Sequence, residues 1–178
     1  MSVILNALPY LNREYRLQTS IRGADSYLIR QNQIVCWASL TPEGVAWARH
    51  DNRSMFPVVI DTGNGRNFNI REDQLVTCAG ATHLVELFGN NVIVNGQKVS
   101  LRKATLWLYR NRPGELAADI NVDPFPIDFS GGIEVFNDPV KTSFPRLPLL
   151  GMRALHVSQL ELTINAAERH VFLRQLSS

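Results

Sequence analysis

Apolar residues along the chain come in short runs, often alternating with polar residues and bounded by Gly, Asn, Asp or Pro. Runs of about four to seven residues with this spacing are typical of β-strands. The run 56–60 is almost entirely apolar, which indicates a strand that is buried on both faces. The pattern predicts strands over 26–30, 33–38, 44–48, 56–60, 91–94, 98–101, 105–109, 159–164 and 170–173.

The strongest local signal is the turn Asn95-Gly96 between two of these runs. Asn-Gly readily takes the positive φ angles of a type I′ turn, so the runs on either side are predicted to form a hairpin. Helical spacing is confined to 151–157 and to a turn or two at 70–75, with Asn69 as the N-cap. The predicted fold class is therefore all-β, with one short helix near the C-terminus.

The composition changes between residues 110 and 148, where six of the nine prolines and the pair Gly131-Gly132 occur. Proline removes hydrogen-bond donors from a sheet, so the segment is predicted to be mostly a long surface excursion, with one short hairpin around 132–136. Loops of this length are uncommon unless they have a function.

The length of 178 residues, with 45% apolar residues, suits a single domain over 1–178. The net charge is +2, and the arginines and lysines are scattered along the chain. Without a basic patch, neither a nucleic acid nor a membrane is an expected partner. No apolar run approaches the roughly 20 residues of a membrane span, and no basic segment precedes the opening apolar residues, so the expected location is cytoplasmic.

The cysteines and histidines do not suggest a metal site. Cys36 and Cys78 are too few for a disulfide framework and lack the paired spacing of zinc ligands, so both are interpreted as core thiols. The four histidines lie on separate predicted elements without metal-ligand spacing. The sequence therefore predicts no metal.

An acidic residue follows directly on the buried run 56–60, in the tripeptide Asp61-Thr62-Gly63. A carboxylate at that position costs several kcal/mol unless it is paired or hydrogen-bonded. One interpretation is ordinary turn chemistry, which the tripeptide alone favours. The other is a catalytic Asp at the tip of a strand, with the backbone turned sharply by Gly63.

A second motif favours the interpretation of Asp61 as a catalytic residue. The residues Leu149-Leu150-Gly151 precede a predicted short helix and the alternating strand 159–164. With Val58-Val59-Ile60-Asp61-Thr62-Gly63, a hairpin, and then Leu149-Leu150-Gly151-Met152-Arg153-Ala154-Leu155 in this order, the sequence resembles the retropepsin-like (retroviral-type) aspartic proteases, and a bacterial-type relative in particular. The resemblance covers roughly 56–109 and 147–173.

The resemblance implies a retropepsin-like acid-protease barrel and a homodimer that hydrolyses peptide bonds in a peptide or protein substrate. It further implies that Asp61 of each copy meets its counterpart at the two-fold axis, where the two carboxylates are expected to share one proton and activate water. Thr62, Gly63 and Asn64 support the active-site loop, and no metal or other cofactor is implied. A flap, meaning a segment that closes over the substrate, is expected at Cys78, Ala79, Gly80, Ala81 and Thr82.

The chain departs from the family pattern at several points. Asn64 stands where the family usually has Ala or Ser, and Gly65 and Met152 occupy positions that form an ion pair in the retroviral members. Residues 1–50 form an N-terminal extension relative to that family, and about 110–148 form a long insertion. Two alternatives stay open: a catalytically inactive module of the same fold that binds peptides or mediates dimerisation, and an unrelated β-barrel binding domain in which Asp-Thr-Gly is a turn.

Overall fold

The structure, a computed structural model, describes residues 2–18, 26–48, 55–80, 84–87, 92–94, 96–129, 131–137 and 145–176. About 50% of these residues lie in strands and 8% in helices, so the predicted all-β class is confirmed. The strands are β1 (Ser2–Pro9), β2 (Tyr15–Gln18), β3 (Ser26–Ile29), β4 (Val35–Pro42), β5 (Phe56–Asp61), β6 (Phe68–Arg71), β7 (Val92–Val94), β8 (Gln97–Arg102), β9 (Ala104–Leu108), β10 (Phe125–Asp128), β11 (Ile133–Phe136), β12 (Leu149–Gly151), β13 (Leu160–Asn165) and β14 (His170–Gln175). The helices are α1 (Glu72–Thr77) and α2 (Met152–Val157).

The strands form one large sheet and two small ones. The large sheet has the order β10-β9-β4-β5-β12-β6-β11-β8-β7. A three-stranded sheet has the order β1-β14-β13, and β2 pairs with β3. In the described part of the chain no pairing joins β10 to β7, so the large sheet is open at both ends.

The centre of the large sheet is built from the most apolar runs of the chain. Strand β5 is buried from Phe56 to Ile60, as expected for an apolar run covered on both faces. Strand β12 lies between β5 and β6 and runs parallel to β5, with Gly151 opposite Asp61. The two motifs noted in the sequence are therefore neighbours in the sheet.

The segment from 110 to 148 contributes two strands to the large sheet. Strand β10 pairs with β9 at the edge, and β11 lies between β6 and β8. The interpretation of this segment as mostly surface is wrong for these strands, because Ile127, Ile133 and Val135 are fully buried. Pro126 is tolerated in β10 because an edge strand leaves one row of donors unpaired. The two strands do not form a hairpin with each other.

Two further sequence predictions are corrected, and one strand was not predicted. Residues 44–48 form no strand, because Gly44 lies in a turn with a φ of 76°. Helix α1 begins at Glu72 with Arg71 as its N-cap, whereas the predicted cap, Asn69, lies in β6. Strand β1, which the sequence analysis left without an element, pairs antiparallel with β14.

Other predictions are confirmed. Strands β7 and β8 form the predicted hairpin, with Val94 opposite Gln97, although Asn95 lies outside the described residues. Helix α2 and the closing hairpin of β13 and β14 match the predicted positions. Cys36 and Cys78 are both buried free thiols, as expected for core cysteines. Neither described helix is long and apolar enough to cross a membrane.

Candidate functional site

Asp61 is the last residue of β5 and is half-buried, while Thr62 and Gly63 are exposed. The N–H of Gly63 donates to Oδ1 of Asp61 over 3.0 Å, and the N–H of Asn64 donates to the Asp61 carbonyl over 3.1 Å. These bonds form a tight turn in which the Asp61 side chain folds back over its own backbone. One carboxylate oxygen is therefore held at a fixed position at the end of the sheet.

Strand β12 supports this turn from behind. The N–H of Gly151 donates to the carbonyl of Asn67 over 2.9 Å, and the N–H of Met152 donates to the carbonyl of Asn64 over 2.7 Å. A Cβ atom at position 151 would lie 2.6 Å from the carbonyl oxygen of Asn64 and would overlap that of Arg66. The loop from 61 to 67 therefore rests directly on Gly151, and the absence of a side chain allows the contact.

A closed ring of polar contacts lies under the same loop. The backbone N–H of Arg66 donates to Oδ1 of Asn64 over 3.1 Å, and Nδ2 of Asn64 donates to Oδ1 of Asn69. Nδ2 of Asn69 donates to Oε2 of Glu134 over 2.5 Å. Nη1 of Arg66 closes the ring by donating to Oε1 of Glu134 over 2.9 Å. We call these four residues the Glu134 ring.

The sequence analysis missed Glu134 because the residue lies in the segment that was interpreted as surface. The structure places it in β11, with a side chain that is 8% exposed. One signal was present in the sequence, since Glu134 is the single charged residue in the apolar run from Ile133 to Phe136. Its ion pair with Arg66 involves neither Gly65 nor Met152, the positions at which the retroviral pattern has its pair.

A groove of about 490 Å³ opens beside Asp61 and Thr62. This volume lies within the range of about 300–1,000 Å³ that is typical of ligand-binding pockets. Gln33 lines the groove, and its side-chain oxygen accepts hydrogen bonds of 2.9 Å from Nη2 of Arg146 and from the backbone N–H of Arg30. The remaining walls of the groove combine apolar side chains with one aromatic and one amide residue: Ile34, Val59, Ile60, Leu149, Ile164, Tyr10 and Asn32.

The segment expected to form a flap is only partly described. Cys78 is the C-cap of α1, and both Cys78 and Ala79 are buried in the core. Gly80 is exposed and has a φ of 61°, whereas Ala81 and Thr82 lie outside the described residues. Burial of the first two positions means that any closing segment begins at Gly80, and the flap itself stays a prediction.

Cys78 is tied to a neighbouring strand by a polar contact. The hydroxyl of Tyr27 in β3 donates to Sγ of Cys78 over 3.2 Å. Burial, and then this hydrogen bond, raise the pKa of Tyr27 above its usual value. The thiol is therefore part of the packing between β3 and the end of α1.

The described residues contain no group of three or more His, Cys, Asp or Glu side chains that could hold a metal ion. The site itself presents the carboxylate of Asp61 beside the groove. No protein-family model matches the chain, and a search of curated proteins finds no significantly similar sequence.

Proposed function

We propose that the chain is an aspartic endopeptidase of the retropepsin-like type, in which Asp61 from two copies forms one active site. The observation that carries the proposal is the position of Asp61. Asp61 is the last residue of the buried strand β5, and its carboxylate accepts a hydrogen bond from the N–H of Gly63. Gly151 of the parallel strand β12 lies opposite Asp61 and packs against the loop that follows it. A carboxylate held at a sheet end beside a groove is suited to activating water.

A homodimer follows from the number of acidic residues in the site. The chain has a single Asp-Thr-Gly tripeptide, whereas general acid and general base catalysis by a carboxyl pair needs two. A two-fold axis brings the same loop of each copy together. Two adjacent carboxylates oppose each other's ionisation and share one proton, as is general for aspartic proteases.

The shared proton gives the two Asp61 side chains complementary roles. The ionised carboxylate accepts a proton from water as the water oxygen bonds to the substrate carbonyl carbon. The protonated carboxyl group donates its proton to the carbonyl oxygen. Collapse of the resulting gem-diol breaks the C–N bond, and the amine leaves with the proton that the first carboxyl group took from water. The other carboxylate, which had donated its proton, takes one back from a gem-diol hydroxyl, so the pair again holds one proton.

The groove supports a peptide as the substrate. Apolar walls at Val59, Leu149 and Ile164 suit a hydrophobic side chain, and Gln33 offers an amide for the backbone of an extended chain. The exposed Gly63 leaves room for that backbone to approach Asp61. These features of the groove support a peptide as the substrate.

One observation favours a second candidate, a catalytically inactive module that binds peptides or mediates dimerisation. The bond between Gly63 and Oδ1 of Asp61 is also what an ordinary Asp turn makes. In this alternative the groove binds a peptide, and Asp61 serves only to form the turn.

Cleavage of a mixed peptide library between about pH 4 and 7 separates the two candidates. The wild type is compared with Asp61→Asn, which keeps the shape of the side chain and removes the shared proton. Asp73→Asn is the matched control, because Asp73 is an exposed carboxylate on α1. All three proteins are used at the same high concentration, and their folding and dimer content are verified.

Cleavage by the wild type and by Asp73→Asn that disappears in Asp61→Asn supports the protease. A folded, dimeric wild type that cleaves nothing favours the binding module. Cleavage that survives in Asp61→Asn means that another group is the catalyst.

A further inference from the structure

We propose that Glu134 is a positioning residue for Asp61, acting through Asn69, Asn64 and Arg66. The catalytic consequence of this inference rests on the proposed protease function, whereas the structural part does not. Glu134 lies in β11, which β12 and β6 separate from β5, and it belongs to none of the motifs that carry the family resemblance.

In the Glu134 ring, two groups with a fixed hydrogen-bonding role determine how the Asn64 and Asn69 amides are oriented. A backbone N–H can only donate, so the N–H of Arg66 fixes the Asn64 side chain with its oxygen toward residue 66. An ionised carboxylate can only accept, so Glu134 fixes Asn69 with its Nδ2 toward residue 134. The Asn64 and Asn69 amides lie between the Arg66 N–H and the Glu134 carboxylate, so each amide has one orientation that satisfies both of its neighbours.

Glu134 and Asn69 are buried, which makes a lost hydrogen bond in the ring costly. The Glu134 side chain is 8% exposed and Asn69 is 2% exposed, so water cannot replace a lost partner easily. The Arg66 side chain is 41% exposed and supplies the cation that offsets the buried negative charge. Replacing the carboxylate by an amide leaves one acceptor oxygen for two donors, so either Asn69 or Arg66 loses its acceptor. An unpaired buried donor costs about 1–3 kcal/mol.

Asn64 connects the ring to the catalytic loop. Its side chain is held by the ring, while its backbone N–H donates to the Asp61 carbonyl over 3.1 Å. Its own carbonyl accepts from the N–H of Met152 over 2.7 Å, at the start of α2. A displaced Asn64 therefore shifts the turn that orients the Asp61 carboxylate.

The position of Asn64 in the ring also accounts for a departure noted in the sequence. Asn64 stands where the family usually has Ala or Ser, neither of which can both accept from Arg66 and donate to Asn69 at the reach of an amide. Asn64 and Glu134 therefore belong to the same hydrogen-bonded arrangement that holds the catalytic loop.

Two variants and one control test the proposal. Glu134→Gln removes the charge and places an amide nitrogen against either Asn69 or Arg66. The double variant Glu134→Gln/Asn69→Asp restores every donor and acceptor, because the new amide at 134 accepts from Arg66 and donates to the new carboxylate at 69, which still accepts from Asn64. Glu72→Gln is the matched control, since Glu72 also forms an ion pair, with Arg102, but makes no contact with the ring.

The first measurement is peptide cleavage at a temperature where all variants are folded. We expect Glu134→Gln to lower kcat about ten- to hundredfold, with KM within about twofold, because a small displacement of a catalytic group has effects of this size. The double variant recovers most of kcat, and Glu72→Gln keeps it. Equal losses in Glu134→Gln and Glu72→Gln, or no recovery in a folded double variant, would overturn the proposal.

The second measurement is amide hydrogen exchange in peptides that cover 61–66, which does not depend on catalysis. Exchange is expected to be faster in Glu134→Gln than in the wild type, and to return to the wild-type rate in the double variant. If the wild type cleaves no peptide, the proposed function fails and exchange alone decides whether the ring holds the loop. Unchanged exchange in Glu134→Gln would overturn the positioning role in either case.

Discussion

Gly151 lies against the carbonyl oxygen of Arg66 so closely that a methyl group at 151 would overlap that oxygen. The second atom in the way, the carbonyl oxygen of Asn64, is also part of the backbone. Neither atom can move aside as the end of a flexible side chain would. The contact therefore couples the strand-to-helix junction at β12 and α2 to the loop that carries Asp61.

We expect Gly151→Ala to lower the free energy of unfolding by about 2–3 kcal/mol, since the added methyl overpacks a rigid contact. Gly65→Ala is the matched control in the same loop. A Cβ atom at 65 meets nothing within 4 Å, so its effect is expected to stay within about 0.5 kcal/mol. Urea unfolding of both variants checks the prediction, and equal effects would contradict it.

The stability of the protein is expected to fall as the pH rises above 9, in part because of Cys36. Burial raises the pKa of the Cys36 thiol from 9.0 to about 12. Between these values the unfolded chain releases the proton and the folded chain keeps it, so folding is favoured less at higher pH. Below pH 9 the contribution is fully present.

Cys36→Ala removes this contribution and isolates it from other groups. The difference in unfolding free energy between the wild type and Cys36→Ala is expected to shrink by about 1 kcal/mol from pH 8 to pH 10. Tyrosine ionisation affects both proteins equally and cancels in the difference. A difference that is independent of pH would show that Cys36 ionises in the folded protein as readily as in the unfolded chain.

If the active site needs Asp61 from two copies, specific activity should fall on dilution. The fall is expected to follow the dimer fraction measured by sedimentation or light scattering at the same concentrations, because a single copy has one half of the carboxyl pair. Constant specific activity down to a demonstrated monomer would show that one chain suffices.

Ile164→Glu is expected to weaken peptide binding at the groove. Ile164 is 45% exposed and lines the groove beside Asp61, so a carboxylate there meets an apolar substrate side chain and must lose part of its hydration. We expect KM to rise about tenfold with little change in stability. Ile93→Glu is the control, because Ile93 is 74% exposed on β7 and does not line the groove. A similar rise in KM for both variants would mean that the groove is not where the peptide binds.

Short-range sequence patterns predicted the elements whose structure depends mainly on residues close together in the chain. The apolar run of β5, the hairpin of β7 and β8 and the strand β13 each have a short-range signal in the sequence, and these three elements are confirmed. The pairing of Asp61 with Gly151 was not predicted, because nothing in either motif alone indicates that the two strands are neighbours.

The parts that were missed depend on distant partners. The prolines and glycines near β11 indicated a surface segment with one short hairpin, whereas β11 pairs with β6 and β8, which lie far away in the sequence. Asn is a common residue at helix N-caps, but Asn69 lies in β6, where its side chain is buried and donates a hydrogen bond to Glu134. A charged residue within an apolar run, such as Glu134, is the one signal in the sequence that pointed to the ring.

The insertion of β12 between β5 and β6 also has a consequence for synthesis on the ribosome. Residues 149–151 emerge about 90 residues after Asp61, and until then the loop at 61–67 lacks the strand that supports it. Pairings of such long range form late in folding. A nascent or prematurely terminated chain therefore carries Asp61 in an unsupported loop, so the candidate site is assembled only after most of the polypeptide has been made.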